Sequence, residues 1–437
     1  MEWYWMLLII LGGFIVLIAI GMPVALSFLF ISLVAAVTTW GGEGGLTNLI
    51  LNLSIQLSTF TLLAIPLFVM MGEILFQSGL AIKMIDTVDK WLGKLPGRLG
   101  LVSVSAGGIL ATLTGASMSS CAILGSTVTP EMEKRGYKKS MSLGPIMGSA
   151  GLAIMIPPSA LAVYMAALAE VSVGRLLVAI VMPGLMLGLL YAAYIISACV
   201  IRPDIAPSYE IDPTPLSQKL VATVKYILPV GFIIFLVTGV ILIGIATPSE
   251  AAATGALGTF IFVAAYGKLN WETTKKALWG SLGITVMIFT ILAGAMVYSQ
   301  VLVFSGASRG LAQAIIGLNV SPMVIHILIQ IFGVLLGMFM NPAAVMSVII
   351  PLFLPIINAL AIDPLVFSVV LLINVEMATI SPPFGNNLFV MKAVAPKDTT
   401  MGQVYKAALP FCAIDLIGMA LVMAFPIICL WLPNATR

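Results

Sequence analysis

Long apolar runs separated by short polar links make up most of this chain. A helix needs about 20 apolar residues to cross a bilayer. Runs of that kind near 5–20, 22–40, 47–78, 141–170, 176–201, 222–245, 248–266, 277–304, 364–394 and 403–432 predict ten crossings. Two further stretches, 98–133 and 321–360, are long enough for two half-crossings each. They are interrupted at Thr114-Gly115-Ala116-Ser117 and at Asn341-Pro342. Each predicts a re-entrant helical hairpin. Residues 83–94 carry apolar and charged positions in helical alternation, with Ile82, Ile85, Val88 and Leu92 as the apolar set. They predict a helix lying along the membrane surface.

Positive charge assigns the sides. Lys and Arg gather in short cytoplasmic loops. Lys83, Lys90, Lys94 and Arg98 precede the first hairpin, and Lys134, Arg135, Lys138 and Lys139 follow it. Both flanks are therefore expected on the cytoplasmic side, so the segment enters and leaves on one face. Carried along the chain, this puts 17 of the 20 positive residues inside, with Arg175, Arg309 and Arg437 outside. Both termini are then expected on the outer, periplasmic side. Met1–Trp5 lacks a basic start and a small-residue cleavage site, so the first apolar run is expected to be a retained span.

The pattern occurs twice. A shift of 225 residues carries Pro130 onto Pro355 and Pro157-Pro158 onto Pro382-Pro383, and the spacing between the two landmarks is 27 in both halves. At a shift of 227, Ser78-Gly79 meets Ser305-Gly306. Each half reads as three spans, a hairpin, a broken span and a span. Five crossings is an odd number, so the second copy must be inverted. The expected fold is an all-α polytopic membrane protein of two inverted repeats. Residues 1–201 form the first, 202–220 a cytoplasmic linker and 221–437 the second. Inverted repeats with discontinuous helices are the architecture of secondary transporters, whose sites lie near the midplane.

Composition narrows the function. Charged residues are 8% of the chain, against about 25% in soluble domains. The net charge of +3 is too small and dispersed for a nucleic-acid surface. One histidine, four isolated cysteines and no HExxH, GxSxG or GxxxxGK[ST] argue against an intramembrane enzyme or a zinc site.

Candidate chemistry sits where the helices break. Non-helical backbone is tolerated at membrane depth only against protein or a wet cavity. The first tip, Thr112 to Ser120, holds five hydroxyls in nine residues and faces the break Ile156-Pro157-Pro158-Ser159. The second offers Asn341 at its tip and Thr379, Ser381-Pro382-Pro383 and Gly385-Asn386-Asn387 at its break. Freed carbonyls and hydroxyls suit Na⁺, and half-helix N-termini suit an anionic group. Two cation sites with a solute between them are expected. Among acidic residues in spans, Glu73, Glu250, Glu376 and Asp415, the one beside the second break is Glu376. His326 reads as a packing residue.

These residues resemble the large membrane subunit of the tripartite ATP-independent periplasmic (TRAP) transporters, across nearly the whole chain. The markers are IPLFVMMGEILFQSG (65–79), TGASMSSCAILGSTVTPEMEKRGY (114–137), IPPSALAVYMA (156–166), MPGLMLG (182–188) and ISPPFGNNLFV (380–390). The resemblance implies a Na⁺-driven importer of organic anions in the bacterial inner membrane, working by an elevator movement. It implies two partners, a small four-helix membrane subunit and a periplasmic substrate-binding protein. It also implies cation sites at Gly115, Ser117 and Pro157 and at Asn341, Thr379 and Ser381, with solute near Ser119, Ser120, Ser159, Asn386 and Asn387. Many relatives carry Asp or Thr at the position of Ser120 and an acid at that of Asn341, so proton coupling through these tips is disfavoured here. A carboxylate and a sulfonate both fit a hydroxyl-rich pocket. The competing expectation is a stand-alone Na⁺/anion carrier without a binding protein.

Overall fold

The computed structural model describes residues 2–39, 42–93, 95–114, 117–207, 215–318 and 320–435. Every regular element among the described residues is a helix, in the order α1 (Trp3–Ala19), α2 (Val24–Thr39), α3 (Glu43–Leu57), α4 (Ala64–Gln77), α5 (Leu80–Leu92), α6 (Arg98–Thr114) and α7 (Ser117–Lys134). Next come α8 (Lys139–Met155), α9 (Ala160–Leu168), α10 (Val173–Ile201), α11 (Leu216–Leu242), α12 (Pro248–Ala265) and α13 (Trp271–Phe304). The chain ends with α14 (Ala307–Ile316), α15 (Pro322–Gly337), α16 (Pro342–Ala359), α17 (Pro364–Ile380), α18 (Asn386–Val394), α19 (Met401–Ala424) and α20 (Ile427–Ala435). Six described segments are long and apolar enough to cross a bilayer, and a seventh forms when α8 and α9 are taken as one span bent by 52°. The molecule is a multi-pass membrane protein.

Local chemistry explains the boundaries. Thr247 and Glu250 close a capping box at the start of α12, which accounts for the acid at 250. Asn341 caps α16, accepting from the Ala344 N–H at 2.9 Å, and Pro342 follows where a missing N–H costs nothing. At the start of α5 and of α14 the same joint appears. Gly79 and Gly306 take φ of 71° and 75°, in the left-handed region that favours glycine. Ser78 and Ser305 donate to the carbonyls of Leu75 and Leu302 at 2.6 and 3.2 Å and accept the N–H groups of Leu80 and Ala307.

Three expected elements differ. The single crossing over 47–78 is two pieces, because the helix stops at Ser58-Thr59 and restarts through a 3-10 turn at Phe60. Local hydroxyl bonding competes with the helix there, and Ser58 Oγ donates to its own chain at Ser54. The stretch 403–432 is α19 and α20, divided at Phe425-Pro426. In α5, Ile82 is exposed and the buried stripe runs through Ala81, Met84, Ile85 and Val88. The stretches 98–133 and 321–360 are each two helices in contact, α6/α7 and α15/α16, with ends within a residue or two of the expected limits.

Packing gathers the helices into two neighbourhoods, which meet where α13 lies against α16 and α4 against α6. Helix α13 lies against α2 and α4, and α4 against α12. Phe14, Phe28 and Tyr298 join α1, α2 and α13, with ring centroids 4.3 to 5.6 Å apart. In the second neighbourhood α8 contacts α6, α7, α10, α17 and α19, and α17 contacts α15, α16 and α19. Charge ties the second group together at one end. Lys139 pairs with Glu133 at 2.8 Å and with Asp398 at 3.1 Å, and Lys138 pairs with Asp204. The flank of the first hairpin, the start of the linker and the loop after α18 thus share one face, all three being segments expected in the cytoplasm.

Candidate functional site

The second break lies between α17 and α18. Pro382 and Pro383 have no N–H, so the carbonyls of Ala378 and Thr379 lose their helical donors. Ser381 N–H covers Ala378 at 3.3 Å, leaving the Thr379 carbonyl free of it. The chain then folds back at Gly385 so closely that a Cβ there would meet Thr379 O at 2.5 Å and Ser381 O at 2.9 Å. The Thr379 hydroxyl donates to the Glu376 carbonyl at 2.8 Å and accepts the Asn387 amide at 3.0 Å. Ser381 donates to Met377 O at 2.9 Å. Asn387 Oδ1 and Glu376 Oε2 are buried without a hydrogen-bond partner. Unsatisfied buried oxygens are uncommon in folded proteins. Here they stand beside a freed carbonyl and a hydroxyl, a donor set that fits a small hard cation.

The first break, between α8 and α9, repeats the construction. Pro157 and Pro158 strip the donors from the carbonyls of Ala153 and Ile154. Gly184 on α10 admits the Met155 carbonyl so closely that a Cβ would lie 2.5 Å away. Pro157 and Ser159 are buried, and Ser159 caps α9 by accepting from Ala162 N–H at 3.2 Å.

The tips follow. Ser117 opens α7 and is half-buried, as is Ser119, whereas Ser120 is fully buried. Gly115 lies outside the described residues. Cys121 Sγ donates to the Asn387 carbonyl at 3.7 Å, which sets the first turn of α7 beside the first turn of α18. The two helices continue in contact, with Gly125 facing Val394 and Met391. Ser119, Ser120, Asn386 and Asn387 therefore cluster at two neighbouring helix N-termini, whose partial positive charge favours an anion. Ser159 stands apart from them, engaged as a cap. At the second tip Phe339 lies against Phe384 of the second break, with ring centroids 5.4 Å apart. That contact brings Asn341 into the neighbourhood of Thr379 and Ser381. No hydrogen bond among the described residues joins Ser117 to the first break.

Three relationships escape sequence reasoning. The Tyr191 hydroxyl donates to Asp415, and Asp415 Oδ2 is buried without a partner. Asp415 is visible in the sequence as an acid in an apolar run, but its partner lies 224 residues away. The Tyr164 hydroxyl meets Ser347, joining α9 to α16. Only the fold shows that Glu376 fills the space left by Gly151, where a Cβ would lie 2.0 Å from its Oε1. His326 is buried with its ring 5.3 Å from Phe367, a packing role.

Comparisons with known proteins agree with this architecture. The family described as "Tripartite ATP-independent periplasmic transporter, DctM component" matches residues 11–428. The C4-dicarboxylate TRAP transporter large permease protein DctM of Pseudomonas aeruginosa is 33% identical over 86% of this chain and 86% of its own. The isethionate TRAP transporter permease protein DctMQ of Oleidesulfovibrio alaskensis is 27% identical over 96% of this chain and 65% of its own. Among solved structures, Neisseria gonorrhoeae MtrF, of a class of antimetabolite efflux pumps, superposes with a TM-score of 0.61 at 14% identity. The match covers 89% of this chain and 85% of that one, a likeness of fold.

Proposed function

Because the chain belongs to the DctM family of the tripartite ATP-independent periplasmic transporters, a family of large permease subunits, we propose that it imports a small organic anion by Na⁺ symport in the bacterial inner membrane. The observation that carries this reading is the second break. There the freed carbonyl and the hydroxyl of Thr379 stand near two buried oxygens without partners, on Asn387 and Glu376, next to paired helix N-termini suited to an anion. Thr379, Ser381 and Asn341 would hold one cation, and Ser117, Gly115 and Pro157 a second. Ser119, Ser120, Asn386 and Asn387 would hold the anionic group, and Ser159 would support them from the first break. Each bound cation offsets the charge of the solute as it crosses.

The two halves, 1–201 and 221–437, are proposed to be inverted repeats joined by the linker 202–220. The matching joints at Gly79 and Gly306 and the matching double prolines at Pro157-Pro158 and Pro382-Pro383 support that reading. The second packing neighbourhood, which carries both hairpins, would move as one body against α1, α2, α4, α12 and α13, an elevator. Relatives named for C4-dicarboxylates and for isethionate support a carboxylate or sulfonate as solute. The partners proposed are a small four-helix membrane subunit and a periplasmic substrate-binding protein, with both termini of this chain on the periplasmic side. A stand-alone carrier has no observation in its favour, since the DctM family spans nearly the whole chain.

The test is uptake into liposomes holding this chain and its small subunit, with binding protein outside. Labelled succinate or isethionate should enter only with an inward Na⁺ gradient and only with binding protein present. Equal uptake with K⁺ replacing Na⁺ would sink the coupling.

A further inference from the structure

Four large apolar side chains are open at the candidate solute site. Phe339 is 69% exposed, Phe384 50%, Phe389 47% and Met118 47%. Phe339 precedes the second tip, and Phe384 lies in the second break, directly before Gly385 and Asn386. Phe389 follows on the next turn of α18, and Met118 sits between Ser117 and Ser119 on α7. Phe339 and Phe384 touch across the gap between tip and break. The contact of Cys121 with the Asn387 carbonyl brings the turn bearing Met118 beside the turn bearing Asn386 and Phe389.

Exposed apolar side chains on a membrane protein ordinarily face hydrocarbon. These four do not stand on an apolar stripe. They are interleaved with Ser117, Ser119, Asn341 and Asn386, all half-buried, at helix ends whose N–H groups need polar partners. Polar groups of that kind are not presented to lipid. Such a face meets water, the solute or protein, and its place beside Ser119 and Asn386 sets it at the solute. An apolar surface held open in a wet site gains free energy only when a ligand covers it, and rings contribute the largest area.

Resting on the solute site proposed above, we propose that Met118, Phe339, Phe384 and Phe389 form an apolar wall of that site. The solute would then be an organic anion with an apolar body, aromatic or branched, rather than a polyhydroxylated acid. The anionic group meets the helix ends at Ser119 and Asn386, and the body lies on the rings. Preference among anions is then set in part by this chain.

The matched probes are succinate and phenylsuccinate, which share the dicarboxylate and differ by one ring. Thermal stability of the purified full chain is titrated with each in saturating NaCl. The expected result is half-saturation by phenylsuccinate at about tenfold lower concentration. Phe384→Ala and Phe339→Ala should each collapse that ratio toward one, whereas Ser119→Ala should weaken both probes and preserve it. Equal stabilisation by the two anions keeps the solute site and overturns the wall. A ratio unaltered in both Phe variants overturns it as well. Stabilisation by neither anion removes the solute site and the wall together.

Discussion

The Asn387 amide donates to the Thr379 hydroxyl at 3.0 Å, across a break made by two prolines and a glycine. This bond ties the start of α18 to the end of α17, where the helical ladder cannot. It also holds the Thr379 hydroxyl beside the Glu376 carboxylate, 3.4 Å from Oε1.

Thr379→Val keeps the shape and removes the hydroxyl. The Asn387 donor is then buried unpaired, which costs about 1–3 kcal/mol of stability. The Na⁺ concentration for half-maximal uptake should rise, because a proposed ligand is gone. Ser117→Ala should raise it without a comparable loss of stability, since Ser117 is half-buried. Na⁺-titrated uptake and melting of both variants check this; unchanged half-saturation in both removes the cation assignments.

Gly184 and Gly385 each face a carbonyl of a broken helix, and backbone cannot move aside as a flexible side chain can. Gly184→Ala and Gly385→Ala should therefore destabilise the chain by about 1–3 kcal/mol or more, the usual cost of overpacking. Gly12, with nothing within 4 Å of its Cβ position, is the control, and Gly12→Ala should be neutral or slightly stabilising. Melting temperatures that do not separate the first two from the third would contradict the close approach.

Sidedness is tested at Lys138, which pairs with Asp204 at the flank of the first hairpin. A cysteine replacing it should react with an impermeant thiol reagent only from the cytoplasmic side. Labelling from outside would overturn the hairpin topology.

The same face has a pH signature. The hydrogen bond from Lys139 holds the Asp398 carboxyl below its ordinary value of 3.8, and the bond from Lys138 does the same for Asp204. A carboxyl depressed in the folded state contributes stability above its unfolded value, and that contribution is lost as pH falls through the folded value. Both residues are exposed, so the effect is small and screened by salt. Wild type should lose stability on acidification below about pH 4 more steeply than Asp204→Asn/Asp398→Asn, most clearly at low ionic strength. Parallel acid melting curves would contradict these ties.

Much of this architecture is legible in the sequence because bilayer physics restricts it. The division of α15 from α16 follows from Asn341-Pro342, the ends of the α6/α7 pair from the flanking lysines and arginines, and the breaks from the double prolines. The split at Ser58-Thr59 was hidden because the flanking residues stay apolar, so hydropathy runs through a stop that only local hydroxyl bonding creates. At the site, Thr379, Asn387 and Ser381 are readable as oxygen-bearing residues near a break. Which oxygens remain unsatisfied is not, since that depends on Gly385 closing the turn. Tyr191 and Asp415, like Gly151 and Glu376, meet through helices distant in sequence, with no local spacing to announce them.

The central claim is that the helix breaks bind Na⁺. The most direct measurement is thermal stability of the purified chain in NaCl against choline chloride at matched ionic strength. A ligand that binds only the folded state stabilises it by about RT ln(1 + [L]/Kd). The account predicts a saturable, Na⁺-specific rise in melting temperature that weakens in Thr379→Val. Identical melting in the two salts, with the small subunit present as well as absent, would contradict it.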